Sequence, residues 1–326
     1  MATNFDISPE KEATFMQFFY RQFFVTPSPV TDVDLREKLA VVTGSNGGIG
    51  LECCRQLLAL GLSKLILAVR DKSKGHVWEL DMSSYDSIGA FVERAQSLER
   101  LDILILNAGI TGLHFTTNPS TGHENNVQIN YISTALLAIQ ILPVLKSKIA
   151  AQQQPSRMVI VSTDASAWTS FPEQESDPLL PSFDVPGKID MTTRYYTSRL
   201  LGQFFLLDLA KRVPSSVAVI NAATPGLVYG TASQRDIQGT FEGRIKKFAT
   251  RIMGYSPEVG ARQITYAALK YDRAIHGQYL CSQKVKPMAP IIYTSKGQQI
   301  SERLWRETMM ELSFANVEQI LDELRQ

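Results

Sequence analysis

A run of apolar residues, Leu39 to Val42, passes through Thr43 into Gly44-Ser45-Asn46-Gly47-Gly48-Ile49-Gly50 and then into a helical pattern, Ile49 to Leu60. Few folds accommodate that order. The run Lys38 to Val42 is too short for a buried helix and suits a strand covered on both faces, which requires a parallel sheet between layers of helices. The glycines let backbone amides approach whatever lies at the N-terminus of the following helix, where the helix favours an anion. Strand, glycine turn and helix in this order are what a dinucleotide diphosphate needs.

The pattern continues downstream. Leu65 to Val69, Val77 to Leu80 and Asp102 to Leu106 read as a second, third and fourth strand, with a helix at Ser87 to Ser97 before the last. Glu124 to Lys148 reads as one long helix, Met158 to Val161 as a fifth strand, Met191 to Arg212 as another helix, and Val217 to Asn221 as a sixth strand stopped by Pro225-Gly226. Helical patterns return at Pro257 to Tyr271 and Gly297 to Arg325, with an edge strand near Gly277 to Cys281. This alternation predicts an α/β chain with a single Rossmann-type domain, its sheet doubly wound, mostly parallel and flanked by helices. The domain is expected over 35–326, after an N-terminal helical extension and link over 1–34. Ser170 to Lys188, rich in Pro, Ser and Asp, is the expected substrate-facing loop.

Charge narrows the partners. The 33 basic and 32 acidic residues leave a formal net charge of +1, spread over both halves, so no nucleic-acid face is expected and the partner is read as an apolar small molecule. No stretch is long enough to span a bilayer, and no basic flank with an apolar run marks a secretory signal. Phe15, Met16, Phe18, Phe19, Tyr20, Phe23 and Phe24 crowd one short segment. Residues 15–25 are suited either to a membrane surface or to packing across the domain; with Arg21 as their sole cation, packing is expected. Three cysteines, Cys53 and Cys54 adjacent, fit a reducing cytoplasmic setting without disulfides. No metal site is expected, and self-association stays open.

The residue closing the second strand separates the two nicotinamide cofactors. An acidic side chain there would accept from the ribose hydroxyls and repel a 2′-phosphate. This chain has Arg70, with Lys74 close behind. A guanidinium pairs bidentately with phosphate, so NADP(H) is expected.

Further motifs follow in order: Asp81 after the third strand, Asn107-Ala108-Gly109 after the fourth, Asn130 in Gln128-Ile129-Asn130-Tyr131, Ser162-Thr163 after the fifth, Tyr195 with Ser198-Arg199 on a helix, and Pro225-Gly226 after the sixth. With Thr43-Gly44-x-x-x-Gly48-x-Gly50, the set resembles the short-chain dehydrogenases/reductases over nearly the whole chain, specifically a retinol-dehydrogenase-like branch found in filamentous fungi. The resemblance implies that Gly44, Ser45, Asn46, Gly48, Ile49 and Gly50 hold the diphosphate. It implies that Asp81 and Met82 contact the adenine, that Asn107, Ala108 and Gly109 border the cofactor, and that Pro225, Gly226, Val228 and Thr231 cover the nicotinamide. Tyr195 would be the proton donor, and Asn130 would hold a helix backbone open around a relay water. A place in secondary metabolism is implied as well.

Hydride transfer to a ketone leaves an alkoxide that needs a proton, so an acid must stand beside the nicotinamide. A phenol titrates near ~10 and needs a fixed positive charge to exchange protons near neutrality. One helical turn after Tyr195, on the same face, the family has a lysine; this chain has Arg199. Arginine keeps the charge and can bond ribose hydroxyls, but it does not readily pass a proton along a relay, and its planar head needs room. Thr163 stands where the family has serine, keeping the hydroxyl and adding a methyl that restricts its rotamer. Ser162 should face the opposite side of the strand. Tyr196 is rotated by about 100° from Tyr195 and is the weaker candidate acid.

Only Asp71 to Gly75 connect Arg70 to His76, where the family carries a helix. A parallel crossover takes about a dozen residues, and five extended ones span ~16 to 18 Å. The helix between the second and third strands is therefore expected to be missing, the link running nearly straight back and one sheet face left open. The leading expectation is an NADP(H)-dependent oxidoreductase that interconverts a ketone and a secondary alcohol. Arg199 and the short link motivate the alternatives: a non-redox cyclase, isomerase or cofactor-binding scaffold, or an impaired member of the family.

Overall fold

Alternate residues of the first strand, β1 (Leu39–Thr43), bury on opposite sides of one sheet: Leu39 and Val41 join one core, Ala40 and Val42 the other. Burial on both faces is what makes the strand continuously apolar. The computed structural model describes residues 5–70, 77–230 and 250–325. Within them β2 (Lys64–Val69), β3 (Trp78–Glu79), β4 (Ile103–Leu106), β5 (Ser156–Val161), β6 (Ala218–Ala223), β7 (Tyr279–Cys281) and β8 (Lys284–Lys286) join β1 in the order β3-β2-β1-β4-β5-β6-β7-β8. All neighbours are parallel except β7 and β8.

The chain enters through α1 (Pro9–Glu12) and α2 (Phe15–Phe24). Helices α3 (Gly48–Ala59) and α9 (Pro257–Leu269) cover one face of the sheet. The other face lies under α4 (Tyr85–Gln96), α6 (Ser133–Gln140), α7 (Leu142–Gln152) and α8 (Met191–Arg212), with α10 (Ser295–Glu311) packed on α8 and α11 (Val317–Glu323) on α6. The winding reverses between β1 and β4, so their C-terminal ends frame the crevice where doubly wound sheets bind ligands.

Several expectations need correction. The helix expected over Glu124 to Lys148 comes in pieces: α5 (Asn125–Val127), a π-helical turn at Gln128–Ile132, then α6. A 45° bend at Ile141 follows, with Pro143 in the first turn of α7. Gly277 to Cys281 is not at the edge, because β8 pairs outside β7 through a tight turn whose residues, Ser282 and Gln283, take φ of 50° and 61°. Glycine or asparagine normally signals such a turn, and neither is present. The C-terminal pattern is two helices, α10 and α11, parted at Asn316 with φ 53°.

The link at 71–76, and with it the expected path, lies outside the described residues. Beside it Ala68 pairs with Trp78 and Val69 with Glu79, so β3 starts next to the end of β2. Leu65 and Leu67, on the α3 side of β2, are only half-buried, as a face short of a helix should be. On the opposite side Trp78 is covered edge-on by Phe91 and by the Arg94 guanidinium.

Helix α2 does pack across the domain, but through Phe18, Arg21 and Gln22, while Met16, Tyr20, Phe23 and Phe24 face outward. Among the described residues no single helix is long and apolar enough to cross a membrane.

Candidate active site

Gly44 and Gly48 take φ of 63° and 56°, a region glycine enters at no steric cost. A Cβ on Gly44 would stand 2.9 Å from Ala108 Cα, and one on Gly50 2.5 Å from Asn107 Nδ2, so the contact between the β1 and β4 loops demands glycine there. Gly47 differs. A Cβ on it would meet no protein atom within 4 Å, which leaves a cradle for a ligand. Helix α3 begins at that point with no side-chain cap and no acidic residue in its first turn. Its free first amides suit a diphosphate. Ser45 is fully buried, Asn46 is exposed at the tip of the turn, and Ile49 is half-buried.

The Asn107 side chain is spent within the protein: Nδ2 donates to the carbonyls of Thr43 and Gly44 at 2.8 and 3.2 Å. Thr43 Oγ1 accepts from the amides of Asn107 and Ala108 in return. These bonds weld β1 to β4 at the crevice. Asp81 Oδ1 accepts from the Ser83 amide and hydroxyl, and the Met82 side chain is in the core. Arg70 is exposed at the end of β2. Lys74 and Thr231 lie outside the described residues.

Asn130 sits in the π-helical turn and makes long-range bonds, not local ones. Its Oδ1 accepts from the Ile110 amide, and its Nδ2 donates to Ile110 O at 2.9 Å and Ser198 Oγ at 3.0 Å. Ser198 Oγ in turn donates to the Tyr195 carbonyl, so the β4 loop, the widened helix and α8 are coupled. Tyr195 and Arg199 lie half-buried on one face of α8, the guanidinium carbon 5.6 Å from the centre of the phenol ring. Arg199 Nη1 donates to Val161 O at 3.2 Å, and its Nε is buried without a partner. The room its planar head needs is at Gly109, where a Cβ would overlap Arg199 Nη2 and stand 3.1 Å from its Cζ. Thr163 Oγ1 accepts from the Ala165 amide, capping a short 3-10 turn, and keeps its hydrogen to donate. Ser162 is buried and Thr163 half-buried.

A chain of aromatic rings extends from Tyr195 to α2. Tyr196 is 5.9 Å from it centre to centre, Trp168 is 6.0 Å beyond Tyr196, and Phe15 of α2 stacks on Trp168 at 4.5 Å. After β6, Pro225 to Val228 is held by Gln22 of α2 and by Tyr255.

Ser170 to Lys188 is largely an anchored segment. Its Phe171, Leu179, Leu180 and Phe183 are in the core, and Glu307 of α10 accepts from the amides of Leu179 and Leu180. The fully buried Arg194 pairs with Glu173 at 3.0 Å. Exposed residues such as Pro172, Glu175 and Pro178 alternate with these anchors, and Val185 to Lys188 is its longest exposed stretch, just ahead of α8. Three further residues escaped the sequence reading: His123 lies between Asp184 at 2.8 Å and Glu311 at 3.1 Å. Burial alone would lower the imidazole pKa, but the two carboxylates raise it to about 9. The one signal in the sequence is a histidine followed by an acid, His123-Glu124, and it points to the wrong carboxylate.

A doubly wound parallel sheet with an uncapped glycine turn at its switch point defines a dinucleotide-binding protein. The sequence profile of the family described as short chain dehydrogenase matches residues 38–172. The short-chain dehydrogenase fogG of Aspergillus ruber is 44% identical over 99% of this chain and 99% of its own. Among solved structures, one from Beutenbergia cavernae assigned as an NAD(P)-dependent gluconate 5-dehydrogenase, with bound NADP, is 18% identical, TM-score 0.56, over 76% of this chain and 96% of that one. The 3-alpha-hydroxysteroid dehydrogenase of Pseudomonas sp. B-0831, complexed with NADH, is 20% identical, TM-score 0.55, over 74% and 94%. The chain belongs to the short-chain dehydrogenase/reductase family, whose members are oxidoreductases that use NAD(P)(H).

Proposed function

We propose that this chain is an NADP(H)-dependent oxidoreductase interconverting a ketone and a secondary alcohol on an apolar small molecule, acting in the cytoplasm in secondary metabolism. The observation that carries the reading is the placement of Arg199 against Gly109, which brings the Tyr195 face of α8 to the β4 loop beside the phosphate turn. Gly44, Ser45, Asn46, Gly48, Ile49 and Gly50 hold the diphosphate, chiefly through backbone. Arg70, exposed and without a carboxylate partner among the described residues, takes the 2′-phosphate. Asp81 and Met82 border the adenine, Ala108 and Gly109 the ribose, and Pro225 to Val228 the nicotinamide.

A nicotinamide held between the 225–228 loop and the Tyr195 face of α8 would supply hydride chemistry at the carbonyl or carbinol carbon. Tyr195 gives its phenolic proton to the alkoxide oxygen, and Thr163 donates a hydrogen bond to the same oxygen. Arg199 keeps a fixed positive charge on the same face of α8 as the phenol ring. Both Asn130 amide hydrogens are committed to Ile110 and Ser198, so Asn130 acts by holding the β4 loop and α8 in register. Since Arg199 does not relay protons, Tyr195 is reprotonated from water. The rings of Tyr196, Trp168 and Phe15 give the substrate an apolar wall.

Oxidation of NADPH with a panel of lipophilic ketones tests the proposal, with Tyr195→Phe as the control. Turnover should fall by ~10² or more in that variant. Turnover no higher than the control's overturns the redox reading, and conversion of substrate without NADPH consumption points to the non-redox alternative.

A further inference from the structure

Helix α2 is turned inside out for a surface helix. Apart from Phe18, its aromatic residues are largely exposed, while Arg21 and Gln22, each 6% exposed, face the protein. A buried primary amide is costly unless its donors and acceptor are satisfied, and Gln22 is satisfied by one residue: its Oε1 accepts from the Leu227 amide at 3.0 Å, and its Nε2 donates to the Leu227 carbonyl at 3.1 Å. Leu227 lies in the segment Pro225 to Val228. The fit is close, since Gly226, with φ 75°, would place a Cβ 3.0 Å from Gln22 Oε1.

The rest of α2 braces that clamp. Tyr255 Oη donates its one hydrogen to the carbonyl of Val25 at 2.6 Å, with the Arg21 carbonyl 2.9 Å away, and the Tyr255 amide donates to Leu227 O. Arg21 pairs with Glu12 at 2.5 Å and with Asp164 at 3.2 Å. Asp164 is the residue after Thr163, and it also accepts from Thr224 Oγ1, which itself accepts from the Gly226 amide. The loops that follow β5 and β6 are thus both tied to the N-terminal helix.

We propose that Gln22 is a positioning residue for the cofactor: it grips Leu227 by both backbone groups and so sets the height of the 225–228 loop over the nicotinamide. The inference rests on the dinucleotide reading above. It makes the N-terminal extension a working part of the site.

The test uses Gln22→Met in the full chain, which fills the same space and removes both bonds. Calorimetric titration compares NADPH with 2′-phospho-ADP-ribose, which lacks the nicotinamide. The Kd for NADPH should rise roughly tenfold, two lost hydrogen bonds at about a factor of three or more each, while that for 2′-phospho-ADP-ribose stays unchanged. Gln22→Glu, which keeps the acceptor for the Leu227 amide, should fall between wild type and Gln22→Met. An equal loss for both ligands, or unchanged NADPH binding, overturns the proposal. Wild-type protein that binds neither ligand overturns the dinucleotide reading, and this proposal with it.

Discussion

Gly109→Ala is the sharpest perturbation the site offers, because one methyl group reaches two functional side chains at once. Its Cβ would stand 2.9 Å from Asn130 Oδ1 and 3.1 Å from Arg199 Cζ, with Arg199 Nη2 closer still. Unbonded carbon atoms rest at about 3.5–4.0 Å, so the guanidinium must shift by roughly 1 Å from its place beside Tyr195. Overpacking of this kind costs about 1–3 kcal/mol, a fall of only a few degrees in Tm. Displacing a catalytic group by about 1 Å costs ~10²-fold in rate. The expected result is therefore a loss of kcat/KM far larger than the loss of stability, read by NADPH oxidation and a thermal melt on the same sample. Combining Gly109→Ala with Arg199→Lys removes the planar head and should restore much of the activity. A Gly109→Ala enzyme with wild-type kcat/KM, or a double variant no better than the single one, would refute the claim that Gly109 makes room for Arg199.

Other predictions follow from single contacts. Arg70→Ala should weaken NADPH binding by roughly 10- to 100-fold, the value of a charge-assisted phosphate contact, and leave NADH nearly unchanged in the same titration. His123, raised from 6.5 to about 9 by Asp184 and Glu311, contributes stability that is fully present below pH ~6.5 and lost as pH rises through about 9, about 3 kcal/mol in all. Melts across that range should show the loss in wild type and a flat profile in His123→Gln. Glu173→Gln removes the direct ion-pair partner of the fully buried Arg194 while Glu124 stays nearby, which should cost up to about 3 kcal/mol, seen as a lower denaturant midpoint.

Contiguous patterns carried most of the fold. Met191 to Arg212 is helix α8 end to end, and the six strands expected through Asn221 all form, because burial on both sheet faces writes itself into short apolar runs. What the sequence hid was non-local. Glu124 to Lys148 reads as one helix, yet it bends at Ile141, where Pro143 was a local signal, and widens at Gln128–Ile132, where Asn130 reaches across to Ile110 and Ser198 and no local signal exists. The His123, Asp184 and Glu311 cluster joins residues far apart in the chain, so no local spacing announces it. Which side of α2 turns inward was equally illegible: seven large apolar side chains around one arginine predicted packing across the domain, but not that Arg21 and Gln22 would be buried with Phe18, because their partners lie at Asp164 and Leu227. The glycine turn was legible because its chemistry is local; the grip on Leu227 was not, because it spans 205 residues.

The central claim is that a hydride passes at a carbon whose oxygen is served by Tyr195. A single turnover with NADPH carrying deuterium at the transferable position, and a lipophilic ketone, measures it directly. The account predicts an alcohol with one deuterium on its carbinol carbon, formed by wild type and lost in Tyr195→Phe. Product without the label, or label transferred equally well by Tyr195→Phe, would contradict it.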